Sequence, residues 1–345
     1  MNKPKVAIII LNWNGWKDTI ECLESVYQTE YSNYEVILVD NNSQDDSIQK
    51  IRDYCDGKIE VESDFFNYSS KNKPIECVEY TEKETVGDRE ERHSRVLFNR
   101  RLVLIKNEKN HGFAEGNNIA IRHVLGVSNP DYILLLNNDV VTDKDFLNNL
   151  VDSAEKEESI GITGPKIYYY SYGSKTDIIN FTGADIILWR GSEIRYGSNQ
   201  PDGEEWNHAR TVDKLEGSCM LIKRRVFEKI GLLDAKYFAY WEDTDFCMRA
   251  KKNGFRSIYV PDSKVWHKGS SSSKRKSGVY EYYMTRNMFW FIRKNATPYE
   301  FFLFLMYFFL FRFWITAGIQ VLYHRDMAEF ILYLRGISEG MHSRC

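Results

Sequence analysis

A chain of 345 residues that is 43% hydrophobic and 28% charged is long enough to bury one large core or two small ones. Its formal net charge of -3 leaves no electrostatic footprint for nucleic acid. The six cysteines, at 22, 55, 77, 219, 247 and 345, form no CxxC pair and no disulfide framework, so reduced thiols and a cytosolic setting are expected.

The opening "MNKPKVAIIILNWNG" places basic residues before an apolar stretch, as a signal peptide does. Its apolar core is too short and Asn12 and Asn14 follow at once, so it is expected to form a first strand. Residues 17 to 29 then carry Ile20, Leu23, Val26 and Tyr27 at helical spacing. "YEVILVDNNS" predicts a second strand, with "SQDDSIQKIRDYC" as its helix. "RLVLIKN" predicts a third strand before a helix around "EGNNIAIRHVLG". "DYILLLNND" predicts a fourth, followed by "DKDFLNNLVDSAEK". Alternating strands and helices with near-continuous apolar strands imply an α/β fold, its mostly parallel sheet covered on both faces.

In such sheets ligands sit beyond the carboxyl ends of the strands. Three ends are rich in Asn and Asp: Asn12 and Asn14 after the first strand, Asp40 and Asn42 after the second, Asn137, Asn138 and Asp139 after the fourth. Asn and Asp also favour turns and helix caps for their own sake. No GxGxxG follows the first strand and no GxxxxGK[ST] occurs. Acids in place of glycine cradles and a phosphate-binding lysine suggest a diphosphate held through a divalent metal. "GFAEGNN" brings Gly112 and Asn117 to the same edge, where glycine permits close approach of a nucleotide or merely a tight turn.

The segments "VAIIILNWNG", "VILVDNNSQDDS", "NHGFAEGNN", "LLLNNDV", "GSCMLIKRRVFEKIGLLD" and "YWEDTDFCMRAKKNGF" occur in an order that resembles family 2 glycosyltransferases of the rhamnosyltransferase-like branch. The resemblance runs from about residue 5 to about 295, residues 56–101 excepted, and implies the GT-A fold. It also implies inverting transfer of a sugar from a UDP-, dTDP- or GDP-sugar to an acceptor hydroxyl. By the same resemblance Asp40 would contact the donor base, and Asp139 would bind diphosphate and a Mg²⁺ or Mn²⁺ ion, with Asn138 beside it. Asn137 departs from the family's DxD motif by replacing its first acid.

Glu242, Asp243 and Asp245 begin a segment that ends in Arg249, Lys251, Lys252 and Gly254, which is sound helix design in itself. A carboxylate base at a rigid helix start would also deprotonate an attacking hydroxyl. The resemblance selects Asp243 as base, with Glu242 orienting it or the acceptor. His267 precedes the Ser-rich basic loop "SSSSKRKSG"; it is either structural or the completion of the metal shell, and Lys274, Arg275 and Lys276 either form a lid or are simply solvated. Trp189, Tyr196, Trp206 and Trp241 are candidates for stacking on sugars, with aromatic core as the default. Arg286 and Asn287 match the family's tail without an assignable chemistry.

Residues 56–101 separate two strands too widely for an ordinary connection and predict a surface insertion with a short hairpin. Residues 301–323 are apolar almost throughout and long enough to cross a bilayer; a buried core helix is the competing expectation. The expected domains are therefore 1–278, with a nucleotide half to about 140 and an acceptor half beyond it, and a helical membrane-associating tail, 279–345. The expected function is one-sugar transfer to a glycan or isoprenoid-lipid-linked acceptor at the cytoplasmic face of the membrane. The QxxRW element of processive synthases is absent. The rival expectations are an inactive membrane-recruited binding protein and a sugar nucleotidyltransferase.

Overall fold

A computed structural model of the chain describes residues 3–85, 100–173, 175–269 and 279–342. The first half runs β1 (Val6–Asn12), α1 (Trp16–Tyr27), β2 (Tyr34–Asp40), α2 (Ser47–Cys55), β3 (Glu76–Thr81), β4 (Arg101–Lys106), α3 (Gly112–Val127) and β5 (Tyr132–Asn137). Side chains alternate across each strand: Val6, Ile8 and Ile10 enter one buried cluster, Ala7 and Ile9 the other. Burial of both faces explains why these strands have no polar alternation in sequence.

The second half adds β6 (Val140–Thr142), α4 (Phe146–Glu155), β7 (Ile160–Tyr169), β8 (Ile178–Phe181), β9 (Ala184–Ile187), β10 (Ser192–Arg195), β11 (Gln200–Pro201), β12 (Arg210–Val212), β13 (Cys219–Lys223), α5 (Arg224–Ile230), α6 (Glu242–Lys252), β14 (Arg256–His267) and α7 (Val279–Asn295). The main sheet has the order β11-β8-β7-β13-β5-β1-β2-β4-β3. It is parallel from β5 to β3 and becomes mixed where β13 inserts antiparallel between β5 and β7. β1 lies between β2 and β5, so the chain leaves it in opposite directions and opens a crevice at the carboxyl ends. Register puts Asn12 beside Asp40 on one side and Leu11 beside Asn137 on the other.

The insertion differs from expectation. Among the described residues it forms no hairpin: β3 pairs in parallel with β4 as the sheet's edge strand. Its described part is also anchored. Lys73 Nζ lies 2.8 Å from Glu24 Oε2, with side chains only 5% and 0% exposed. Glu24 further accepts from Gln28, the Tyr54 hydroxyl and the Ser69 backbone N–H. Val61 and Ile75 join the core, and Phe65 packs against Tyr170 and Trp266. Residues 86–99 of the insertion, and the basic loop carrying Lys274, Arg275 and Lys276, lie outside the described residues.

The tail builds a third cluster in which Met288, Phe289, Phe291 and Ile292 of α7 meet Phe304, Phe308, Tyr333 and Ile337. A helix spans Pro298–His324, and only 11% of its most apolar window is buried, which rules out the core-helix expectation. Thr297 and Glu300 form a capping box at its start. Phe302, Leu310, Phe311, Trp314, Ile315, Leu322 and Tyr323 stand exposed. Arg312, the cation inside this run, donates from Nη1 to the Gly191 carbonyl at 2.7 Å.

Candidate active site

Asn12 is a hub at the end of β1, fully buried. Its Nδ2 donates to Asp40 Oδ1 at 2.8 Å and to Ser43 Oγ at 3.1 Å. Its Oδ1 accepts from the Thr19 hydroxyl at 2.8 Å and the Gly15 N–H at 3.2 Å. Asp40 also accepts from the Ser43 hydroxyl and backbone N–H, at 2.6 and 2.9 Å, so both of its carboxylate oxygens are engaged. Asn14 and Asn42 carry φ of 53° and 63°, the left-handed conformation Asn tolerates in turns. Asn138 donates to Thr19 Oγ1 at 3.0 Å, tying the end of β5 to α1.

β14 explains how distant residues meet. It is twelve residues long, irregular between Val260 and Lys264, and its end pairs antiparallel with β6, His267 opposite Val140. That pairing sets His267 Nε2 3.1 Å from Asp139 Oδ1 across 128 positions of sequence. Asp139 is buried. Desolvation acts to raise its pKa, yet the charge and hydrogen bond of His267 outweigh it and the carboxyl falls below its ordinary range. Burial likewise acts to lower His267, and Asp139 overcomes it, so the imidazole is raised above its ordinary 6.5. His267 Nδ1 is buried and has no hydrogen-bond partner among the described residues.

Among the described residues no group of three His, Cys, Asp or Glu side chains is gathered to hold a metal ion. A carboxylate oxygen and an imidazole nitrogen 3.1 Å apart still fit a divalent ion that takes its remaining ligands from phosphate and water. Next to this pair, Lys268 bridges Asp18 at 2.6 Å and Glu21 at 2.5 Å on α1.

The acids of α6 divide by environment. Asp245 is fully buried and ion-paired with Arg249 at 2.7 Å and Lys294 at 2.8 Å, a structural role. Glu242 is 6% exposed with its Oε2 unpartnered. Desolvation first, then the neighbouring Asp243 charge, push its pKa up to about 8. Asp243 is half-buried, the most exposed of the three. Its Oδ2 accepts from Gly217 N–H at 3.1 Å, and its Oδ1 from Thr244 N–H at 2.6 Å.

Four residues that sequence reasoning passed over complete this wall. Lys214 Nζ is 2.9 Å from Glu193 Oε2, and Arg195 bridges Glu193 at 3.0 Å and Glu216 at 2.8 Å. Burial acts to lower Lys214, but Asp243, Glu193 and Glu216 raise it above its ordinary range. Glu216 also acts to raise His267, after the larger effect of Asp139. The only sequence signal was two charges immediately before a buried strand. Other candidates have structural partners. Asn117 is buried and donates to its own helix at Phe113 O, 2.9 Å. Gly112 has φ 74°, and a Cβ there would meet Phe238 O at 2.4 Å, so its role is packing against the turn before α6. Trp241 lies on Phe291 and Trp189 against Tyr307, both facing the tail. The Tyr196 hydroxyl is taken by Asp185, and Trp206 accepts at its carbonyl from Tyr259.

The family model described as "Glycosyltransferase like family 2" matches residues 74–289, and that described as "Glycosyl transferase family 2" matches residues 7–67. The chain is 29% identical to the low-salt glycan biosynthesis hexosyltransferase of Haloferax volcanii over 186 residues, 52% of this chain and 56% of that one. It is 30% identical to the N-acetylglucosaminyl-diphospho-decaprenol L-rhamnosyltransferase of Mycobacterium tuberculosis over 154 residues, 42% of this chain and 49% of that one. The chain thus spans about half the length of these curated relatives. Among solved structures, the mannosyltransferase of Pyrobaculum calidifontis with GDP-Man and Mn²⁺ superposes with a TM-score of 0.54 at 12% identity, over 99% of this chain and 88% of that one. The S. aureus TarS fragment 1–349 with UDP-GlcNAc gives 0.53 at 17%, over 98% and 80%. Identity this low speaks to the fold alone.

Proposed function

The chain belongs to glycosyltransferase family 2, rhamnosyltransferase-like branch, with the GT-A fold, and we propose that it moves one sugar from a nucleotide-sugar donor to a hydroxyl of a glycan carried on an isoprenoid diphosphate. The observation that carries the proposal is the pairing of Asp139 with His267, 3.1 Å apart at the sheet's carboxyl edge.

The acceptor oxygen attacks the anomeric carbon from the face opposite the diphosphate. The new C–O bond forms as the bond to the diphosphate oxygen breaks, so the configuration inverts and the nucleoside diphosphate leaves with the electron pair. Asp243, fixed by Gly217 and Thr244, takes the hydroxyl proton. Lys214 and its carboxylate partners hold the charge balance around it. Asp139 and His267 would hold a Mg²⁺ or Mn²⁺ ion, which supplies positive charge to the leaving diphosphate when bound. Asn12 and Asp40, buried, with Ser43 and Asn138 bonded around them, tie the ends of three strands together, and the nucleotide would sit over them. Support for this acceptor class comes from a relative named for a diphospho-decaprenol sugar and from the exposed apolar helix, which would keep the enzyme on the cytoplasmic membrane surface.

Calorimetric titration of the full chain with UDP-GlcNAc, GDP-mannose and dTDP-rhamnose, each with Mn²⁺ and with EDTA, tests the donor site. Metal-dependent binding of one nucleotide class is expected. Folded protein that binds none of them refutes an active transferase and favours an inactive binding protein. Asp243→Asn is expected to lower transfer to an N-acetylglucosaminyl-diphospho-polyprenol by about 10²- to 10⁴-fold while donor binding persists.

A further inference from the structure

The segment 236–241, which delivers α6, has an unusual backbone. Phe238, Tyr240 and Trp241 all have positive φ, 64°, 70° and 74°. None is glycine, and bulky side chains in this region persist only where the surroundings over-determine them. Trp241 is itself the residue before the first turn of α6, and no side chain caps that helix start. The direction in which Glu242 and Asp243 emerge is therefore set by the turn and by whatever holds it.

What holds it is α7. Asn287, fully buried, directs its Nδ2 at three carbonyls of the turn: Tyr237 O at 2.9 Å, Ala239 O at 2.8 Å and Tyr240 O at 2.8 Å. Arg286 adds Nη2 contacts to Lys236 O at 3.2 Å and Tyr237 O at 3.0 Å. Its Nε bonds Asn287 Oδ1 at 2.9 Å, which orients the amide. The guanidinium lies over the rings of Tyr283 and Trp290, at 4.7 and 4.2 Å. On the far side of the turn, Phe238 O accepts from Phe113 N–H at 2.6 Å, so the same backbone also meets the first turn of α3.

We infer that Asn287 and Arg286 are positioning residues for the transfer reaction: they hold the left-handed turn that aims Asp243, so that this stretch of α7 serves the catalytic unit, while the end of the helix serves only to dock the tail. The alternative is that these bonds merely dock the tail. Docking is served elsewhere, by Lys294 with Asp234 and Asp245 and by the shared aromatic cluster. The Asn287 and Arg286 bonds fall on the carbonyls of the turn, within a few residues of the proposed base. The inference rests on the reading of Asp243 as base.

The test compares Asn287→Ala, Arg286→Lys and Arg293→Ala with the parent in the full chain. Arg293 donates to Met341 O, a contact within the tail, and controls for loss of tail packing. Readouts are the melting temperature, donor Kd with the nucleotide-sugar panel and Mn²⁺, and kcat and KM for the polyprenol-linked acceptor. Asn287→Ala is expected to lower kcat about 10²-fold, as small misplacements of a reacting group do, with donor Kd within about twofold of the parent. Arg286→Lys, which keeps a donor but loses the fork, is expected to fall between. Arg293→Ala lowers the melting temperature and leaves kcat unchanged. The inference is overturned if Asn287→Ala turns over at the parent rate, or if its loss matches loss of folded, donor-binding protein. Asp243→Asn measured alongside separates the two failures. An active Asp243→Asn removes the base assignment itself, whereas an inactive one with a fully active Asn287→Ala removes only the positioning role.

Discussion

Glu242→Gln isolates the electrostatics of the site. In the parent, burial and the Asp243 charge raise the Glu242 pKa from the ordinary 4.5 to about 8. The folded protein therefore holds a proton that the unfolded chain releases between those values, so stability is fully present below about pH 4.5 and declines as pH rises through about 8. At about 1.4 kcal/mol per pH unit, the gap caps the loss at about 5 kcal/mol. Relaxation and the nearby Lys214 reduce it, and a loss of about 2 kcal/mol or more between pH 6 and pH 9 is expected. Glutamine keeps the shape and cannot ionise, so the variant should show a flatter profile and exceed the parent in stability at pH 9. Urea denaturation midpoints at pH 6, 7.5 and 9 measure this directly. Transfer should follow, with an alkaline decline in the parent as a second negative charge appears beside Asp243. Parallel stability profiles for the two proteins would refute the reasoning, since they would mean Glu242 is solvated or ionised throughout.

Lys73→Met leaves Glu24 buried without its cation and should destabilise the fold by about 3–5 kcal/mol in denaturant titrations; a change near zero would mean the insertion is not anchored there. Gly112→Ala puts a side chain at φ 74° and against Phe238 O, costing at least about 1–2 kcal/mol and lowering the melting temperature. Phe302→Glu combined with Trp314→Glu removes two exposed apolar side chains, each worth about 1.5–3 kcal/mol on burial, and should weaken co-sedimentation with lipid vesicles by about 10²-fold or more. Unchanged co-sedimentation would remove the apolar helix as the membrane contact.

Much of this architecture was legible in sequence because it depends on local pattern. β1, β2, β4 and β5 are buried on both faces and so appear as unbroken apolar runs, and the polar residues that close them mark where the sheet meets its crevice. The same local reasoning misjudged β3, whose mixed residues "ECVEYT" belong to an edge strand half open to solvent. It could not separate the two uses of asparagine either. Asn14 and Asn42 serve left-handed turns and Asn12 is a buried hub, yet all three look alike in sequence.

The sequence alone determined the fold class, the order of the motifs and the residue types at the sheet edge, since periodicity and strand termination are properties of neighbouring residues. Tertiary structure decided which of those residues share a site. Asp139 meets His267 only because the end of β14 pairs with β6, and three acids in the first turn of α6 acquire three environments from the turns 213–217 and 236–241 and from residues 286–294 of α7. Burial and charge pairing are sums over contacts distant in the chain. No local pattern encodes them, and they set which carboxylate is buried without an ion pair, which is locked in one and which stands half-exposed.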